Sequence, residues 1–355
     1  MTLSVGDFDG FFAAVHAGAR PFAWQRRLFA SVLEAGRWPD RVVAPTGAGK
    51  TAVIDVHVFA VALMAAGAGP RVPRRLSLVV DRRALVDSQF ELARSLARAL
   101  REAPDGGILG EVRACLASLR SSRDPGAAPL LVTLLRGGVP ASRRWVDDPS
   151  AAAVICATPA MWGSRLLFRG YGTGRLARPR EAGLLAYDSV IVVDEAHLAR
   201  QLVATARRID ALETMASEPL AVPRVQVVEA TATIADWGTR TSVGVTEDDL
   251  RPGSAGGEVL ARRLLAAKPV TLVASAEWPA GSTATRAAVA RLMADQADQL
   301  LGAHGRTVAC IANTVAGALA AATELRKRGR TVAAASSAAC GRTTSPRFGS
   351  AGPAS

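Results

Sequence analysis

The 355-residue chain is 49% hydrophobic and carries 43 basic against 31 acidic side chains, a net charge of +12 at pH 7. That is apolar content enough to pack one large or two ordinary domains, and no run of about eighteen charge-free apolar residues offers a membrane span. The basic balance is consistent with a polyanionic partner reached through phosphate neutralisation, although an Arg-rich composition alone would also raise the count.

Cys115, Cys156, Cys310 and Cys340 are scattered without a C-x-x-C pair, so neither a structural zinc nor a disulfide framework is expected. His16, His57, His197 and His304 are isolated and no His-Asp pair occurs, which excludes the signature of an HD-type metal nuclease. Met1 to Gly10 is polar and acidic and lacks the basic and apolar regions of a signal peptide; a cytoplasmic location is the expectation.

Residues 1–40 read as an aromatic lead-in containing Pro21-Phe22-Ala23-Trp24-Gln25. The Gln25 amide offers a donor and an acceptor together, a pair that suits an adenine edge. Arg41 to Val43 is a short strand that breaks at Ala44-Pro45 and enters Thr46-Gly47-Ala48-Gly49-Lys50-Thr51, with a helical pattern from Ala52 to about Ala66. Strand, glycine loop, Lys-Thr and helix form a phosphate cradle, met here with Ala44 at the usual first Gly. Gly47 and Gly49 free backbone N–H groups to turn onto phosphate oxygens, together with the N–H of Ala48 and the positive end of the helix. Lys50 is expected at the β/γ-phosphates and the Thr51 hydroxyl on Mg²⁺. Only Lys50, Lys268 and Lys327 are lysines, so a chain that otherwise uses Arg keeps a compact ammonium at this position.

A second strand, Leu76 to Val80, leads into Asp81-Arg82-Arg83 and a helix from Ala84 to about Arg101. Arg82 and Arg83 thus fall at the carboxyl end of a strand, the edge at which open α/β sheets bind ligands. Strand-like Leu130 to Leu135 lies in a Gly/Pro-interrupted region, followed by the strand Val154 to Ala157 with Thr158-Pro159 after it. The loop Arg169 to Gly174, with glycines on both sides of Tyr171, is more simply a mobile loop than a nucleic-acid contact. Ser189 to Val193 reads as a strand buried on both faces and ends in Asp194-Glu195-Ala196-His197. Asp194 is placed to hold Mg²⁺ beside the cradle, and Glu195 to orient or deprotonate an attacking water. Val225 to Val228 is a further strand, ending in Glu229-Ala230-Thr231-Ala232-Thr233. The repeat of apolar strand, polar tip and helix predicts a parallel sheet with crossover helices.

These elements give a nucleotide-binding lobe over 41–240 and a Gly/acidic linker over 241–258. A second α/β lobe begins over 259–332, with strands at Val270–Val273 and Arg306–Thr314, helices near 284–301 and 315–328, and Ser282 or Thr283 as a cap. Residues 333–355 are poor in large apolar residues and are expected to be disordered.

Ala44 to Thr51, Asp194-Glu195-Ala196-His197 and Thr231-Ala232-Thr233 resemble, in order and spacing, motifs I, II and III of the superfamily 2 helicases of the DEAD/DEAH type. Trp24-Gln25 resembles the adenine-reading element, Asp81 to Val86 motif Ia, Thr158-Pro159 the Thr-Pro element that touches the nucleic-acid backbone, and Ile311 to Val315 motif IV. The resemblance covers about residues 20–330. It implies an α/β fold: a RecA-like P-loop lobe with a parallel sheet, plus an incomplete second RecA-like lobe. It implies ATP and Mg²⁺ as cofactors, and His197, Thr231 and Thr233 as residues coupling the nucleotide to the nucleic-acid face. Arg82, Arg83, Thr158, Pro159, Asn313 and Thr314 would then contact nucleic acid.

Within the superfamily, Trp24-Gln25-Arg26, Asp81-Arg82-Arg83, Thr158 to Trp162 and Val192 to Leu198 are similar to the helicase part of the CRISPR-associated type I helicase–nuclease. That resemblance implies ATP-driven 3′→5′ movement on single-stranded DNA and recruitment by a crRNA-guided Cascade complex. Nothing after residue 315 resembles motif V or the arginine-finger motif VI, which suggests truncation, as by a frameshift near Val332. A DEAD/DEAH RNA helicase, a restriction-type translocase and a non-catalytic ATP- or nucleic-acid-binding fragment are the alternatives.

Overall fold

The computed structural model describes residues 3–121, 126–140, 142–213, 215, 217–218, 220–232, 240–273, 285–305 and 307–332. The chain divides into two compact units, 1–267 and 268–355.

The first unit is an α/β layer structure around one parallel sheet. In chain order its elements are α1 (Phe8–Val15), α2 (Ala23–Ala35), β1 (Arg41–Val43), α3 (Val53–Ala65), β2 (Arg75–Val79), α4 (Arg83–Glu102) and α5 (Ile108–Ser118). There follow β3 (Leu130–Leu135), α6 (Arg144–Asp147), β4 (Ala152–Ala157), α7 (Pro159–Leu166), α8 (Arg178–Ala186) and β5 (Ser189–Asp194). The unit ends with α9 (Arg200–Glu213), β6 (Gln226–Thr231), β7 (Ser242–Gly244) and α10 (Gly257–Leu265). The strand order is β3-β4-β2-β5-β6-β1-β7, and every strand pairing is parallel.

Crossover helices on both faces explain why the central strands are apolar throughout. Val190 and Val192 of β5 join a core built from α1 to α5, while Ile191 and Val193 point to the other face, against α6 to α9. Each such side chain, fully buried, contributes about 1.5–3 kcal/mol. The aromatic lead-in belongs to the first of these cores: the rings of Phe8 and Phe29 stack at 4.2 Å and those of Phe11 and Phe59 at 5.1 Å. Among the described residues no helix is long and apolar enough to cross a membrane.

The linker expected over 241–258 instead contains sheet and helix. Ser242–Gly244 pair with β1 as β7, and Leu260 of α10 is buried in the core. Arg27 clamps the segment, its guanidinium 2.7 and 2.6 Å from the two carboxylate oxygens of buried Asp249 and 2.8 Å from the Gly244 carbonyl. The glycines and acidic residues that suggested a linker serve caps and turns: Asp249 accepts from the Thr246 N–H, and Gly253 and Gly256 adopt positive φ.

In the second unit α11 (Arg286–His304) and α12 (Val315–Lys327) form, and α11 is capped by the Thr285 hydroxyl; Ser282 and Thr283 lie outside the described residues. The strands expected over 270–273 and 306–314 are not formed among the described residues; Val270, Leu272 and Ile311 are more than 80% exposed. Strand propensity depends on a pairing partner and a buried face, and the described residues of this unit supply neither. The expected tail, 333–355, lies outside the described residues.

Candidate nucleotide site and the neighbouring strand ends

The cradle follows β1. Its chain turns at Gly47 and Gly49, with φ of +90° and +80°, a region where a Cβ is strained. Lys50–Ala52 then make a short 3₁₀ turn ahead of α3, so the regular helix starts at Val53, one residue after the Ala52 that the sequence pattern suggests. The loop braces itself through Ala48 N–H donating to the Pro45 carbonyl at 3.1 Å and Ala52 N–H to the Gly49 carbonyl at 3.1 Å. The N–H groups of Gly47, Gly49, Lys50 and Thr51 meet no acceptor among the described residues. Thr46 and Thr51 are exposed.

Two side chains of α2 hold the loop from behind. The Trp24 indole Nε1 donates to the Ala48 carbonyl at 3.0 Å, and Gln25 Nε2 to the Gly49 carbonyl at 3.0 Å. Gln25 Oε1 accepts from the Phe22 N–H at 2.8 Å, so both ends of the amide are engaged by the protein and the residue is buried. The expected adenine reader thus acts here as a brace. A Cβ on Gly49 would lie 2.8 Å from Gln25 Nε2, which explains the glycine a second time. The Trp24 bond was not read from the sequence, although a buried indole ordinarily needs an acceptor.

The sheet order carries the carboxylates to the cradle. β5 and β1 are both neighbours of β6, with Asp194 level with Ala230 and Val43 level with Thr231. Lys50 Nζ lies 3.3 Å from Asp194 Oδ1 and 3.2 Å from Glu195 Oε1, all three side chains being largely buried. Glu195 adopts φ +50°, ψ +50°, a left-handed conformation uncommon outside glycine, and its N–H donates to Asp194 Oδ1 at 3.1 Å. That turn swings the Glu195 carboxylate off the strand axis toward Lys50. His197 Nδ1 is 3.5 Å from Glu195 Oε2 and half exposed. Thr231 receives the Ala44 N–H on its carbonyl at 2.9 Å, joining the end of β6 to the start of the loop. Thr233 lies outside the described residues.

The donor set suits a nucleotide triphosphate with Mg²⁺. Free N–H groups and an ammonium converge on the loop, with one hydroxyl and two carboxylates beside it. Among the described residues no three His, Cys, Asp or Glu side chains form a metal cage. A dedicated cage is not what Mg²⁺ requires, since it is commonly held by one or two protein oxygens, with phosphates and waters completing the octahedron. Thr51 and Asp194 would be the protein ligands.

Further along the same edge, Arg82 stands at the N-cap position of α4 without a side-chain cap bond and Arg83 begins the helix, both exposed. A Cβ on Gly137, after β3, would be 3.3 Å from the Arg83 guanidinium, so the two loops touch. Thr158 stands at the N-cap position of α7 with Pro159 at the first helical position, and Thr158 N–H donates to the Leu135 carbonyl at 3.1 Å. The loop over 169–174 is pinned: the Thr173 hydroxyl donates to Glu181 at 2.8 Å and Arg165 donates to the Tyr171 carbonyl at 3.2 Å. Arg136, which gave no signal in the sequence, is buried here, its Nε 2.5 Å from Asp87 Oδ1. In the second unit Thr314 caps α12, its hydroxyl accepting from Gly317 N–H at 3.1 Å, and Asn313 is exposed beside it. There the Thr314 side chain is occupied by its cap.

No family model matches the chain, and no curated protein matches it. Among solved structures it is similar to the yeast DEAD-box splicing factor Prp28, at 18% identity and a TM-score of 0.35, over 61% of this chain and 42% of that one. It is also similar to S. cerevisiae Dbp5 bound to RNA and ADP BeF3, at 15% identity and a TM-score of 0.34, over 66% of this chain and 47% of that one. The chain spans less than half the length of either, and likenesses this low assign it neither a substrate nor a partner.

Proposed function

We propose that the chain is the nucleotide-binding part of an ATP-dependent helicase or translocase of superfamily 2, acting on single-stranded DNA in type I CRISPR interference. The reading is carried by one observation: Lys50 Nζ meets Asp194 and Glu195 at 3.3 and 3.2 Å across 145 residues of chain. A loop lysine, a strand-end aspartate and an adjacent glutamate are the charges that phosphoryl transfer to water requires, because that chemistry is mostly positioning and charge neutralisation.

In this reading the loop N–H groups bind the phosphates and Lys50 neutralises the terminal one. Bound Mg²⁺ would supply charge compensation between the phosphates, with Thr51 and Asp194 holding it. Glu195 Oε accepts a proton from the attacking water, its direction set by the left-handed backbone. His197 touches Glu195, and Thr231 links β6 to the cradle; both connect the nucleotide to neighbouring strand ends. Arg82, Arg83, Thr158 and Pro159 occupy the same edge of the sheet, and together with the net charge of +12 they support a phosphate-backbone track. The DNA substrate, 3′→5′ polarity and Cascade recruitment rest on the sequence resemblance alone.

ATP turnover measured with single-stranded DNA, duplex DNA and RNA tests the assignment. Stimulation by single-stranded DNA is expected, abolished by Glu195→Gln. Stimulation by RNA alone would overturn the DNA assignment in favour of an RNA helicase.

A further inference from the structure

β3 is an end strand. It pairs with β4 on one side and, among the described residues, with no strand on the other. Its sequence, Leu-Leu-Val-Thr-Leu-Leu, contains none of the Lys or Pro residues that ordinarily blunt an exposed edge. α4 packs over one face of β3 and α6 over the other, so the free edge lies at the bottom of a groove between two helices.

The groove is strongly basic. Arg94, Arg98 and Arg101 recur at intervals of four and three along one side of α4, and Arg144 projects from the start of α6. With Leu130 and Val132 they line a cavity of about 280 Å³ that has no carboxylate among its described lining residues. Arg94 pairs with Glu91 at 3.0 Å, but Arg98, Arg101 and Arg144 make no ion pair among the described residues.

We propose that this groove binds an extended acidic peptide from another protein, which adds to β3 as a further strand. Leu130, Val132 and Leu134 turn their main-chain groups away from β4; Leu130 is buried and Val132 and Leu134 are partly exposed, so the open edge accepts about 10 Å of extended chain. Main-chain hydrogen bonds would supply affinity, and alternate carboxylates meeting Arg98, Arg101 and Arg144 would supply selectivity. A second copy of this chain is disfavoured, because pairing two such edges would oppose two rows of arginines. A nucleic acid is disfavoured because its backbone has no alternating amide donors and acceptors for the strand edge, and the floor at Leu130 and Val132 is apolar.

The test is fluorescence anisotropy on the full chain with a labelled ten-residue peptide alternating Glu and Val, at physiological salt. Two comparisons accompany it: the same peptide N-methylated at alternate residues, and the double variant Arg98→Glu, Arg101→Glu. Both sites are exposed, and unchanged thermal unfolding verifies that the variant folds. Binding is expected to weaken at least about tenfold in each comparison. Equal binding of the N-methylated peptide would reduce the contact to charge alone and overturn strand addition, as would no binding of the parent peptide. The proposal also fails if single-stranded DNA displaces the peptide through the same two arginines, or if the double variant abolishes a dimer seen by light scattering.

Discussion

Gln25 Nε2 donates to the carbonyl oxygen of Gly49 at 3.0 Å, tying the lead-in helix to the glycine loop proposed to bind phosphate. With the Trp24 bond to Ala48 it fixes two consecutive loop carbonyls, and the Gly49 and Lys50 N–H groups of the same trans peptide units therefore face the other way. Gln25→Ala leaves the Phe22 N–H without its acceptor and the Gly49 carbonyl with the Ala52 N–H alone, at a cost of about 1–3 kcal/mol. Mg-ATP affinity should fall about tenfold, because the loop must then order itself on binding. Calorimetric titration beside a thermal melt checks both effects, and unchanged affinity in a destabilised variant would remove the brace from the account.

If Glu195 is the proposed base, its substitution separates binding from turnover. Glu195→Gln preserves size and the backbone turn but takes away the proton acceptor. It is expected to bind Mg-ATP within a few-fold of the parent while losing about 10²–10⁴ in hydrolysis rate, the usual worth of a positioned base. Rapid-quench measurement of a single turnover reads this directly. A rate within threefold of the parent would assign the base elsewhere.

His57 makes stability pH-dependent. It is fully buried in α3, 3.4 Å from the Arg74 carbonyl, and burial pushes its pKa down from 6.5 to about 4. The unfolded chain takes up this proton near pH 6.5 and the folded chain only near pH 4. Stability is therefore lost as pH falls through that window, by about 2 kcal/mol at pH 5 relative to pH 7.5. Guanidinium unfolding at the two pH values should show the loss in the parent and a smaller one in His57→Gln. Identical losses in both would show that His57 does not titrate between the folded and unfolded states.

The Arg27–Asp249 clamp sets where the first unit ends. Arg27→Ala strands a buried carboxylate and should cost about 3 kcal/mol, partly recovered by adding Asp249→Asn. A chain ending at Ala267 should retain Mg-ATP binding, whereas one ending at Arg240 removes β7 and α10 and should not fold. If both truncations bind equally well, the segment 241–267 is dispensable after all.

What was legible in the sequence was local and charged. The cradle at 44–51 and the pair Asp194-Glu195 announce themselves because glycines, a rare lysine and an apolar strand ending in carboxylates each have one short-range cause. The parallel sheet was legible through continuous β-branched runs such as Ser189–Val193. The rest depended on long-range partners. Residues 241–258 look like a linker until β1 supplies a strand to pair with. Val270–Val273 looks like a strand and, among the described residues, has none beside it. The Gln25 amide has the groups to read a ligand, yet Phe22 and Gly49 hold both its ends. Arg136 gave no signal, since its burial follows from Asp87 on a helix that begins 53 residues earlier.

The most direct test of the central relationship is calorimetric titration of Mg-ATP into the intact chain and into Lys50→Ala. The account predicts saturable binding by the parent and a loss of at least about a hundredfold in the variant, since the substitution removes a charge-assisted contact to phosphate. Equal affinity in the two, or no binding by a folded parent, would contradict it.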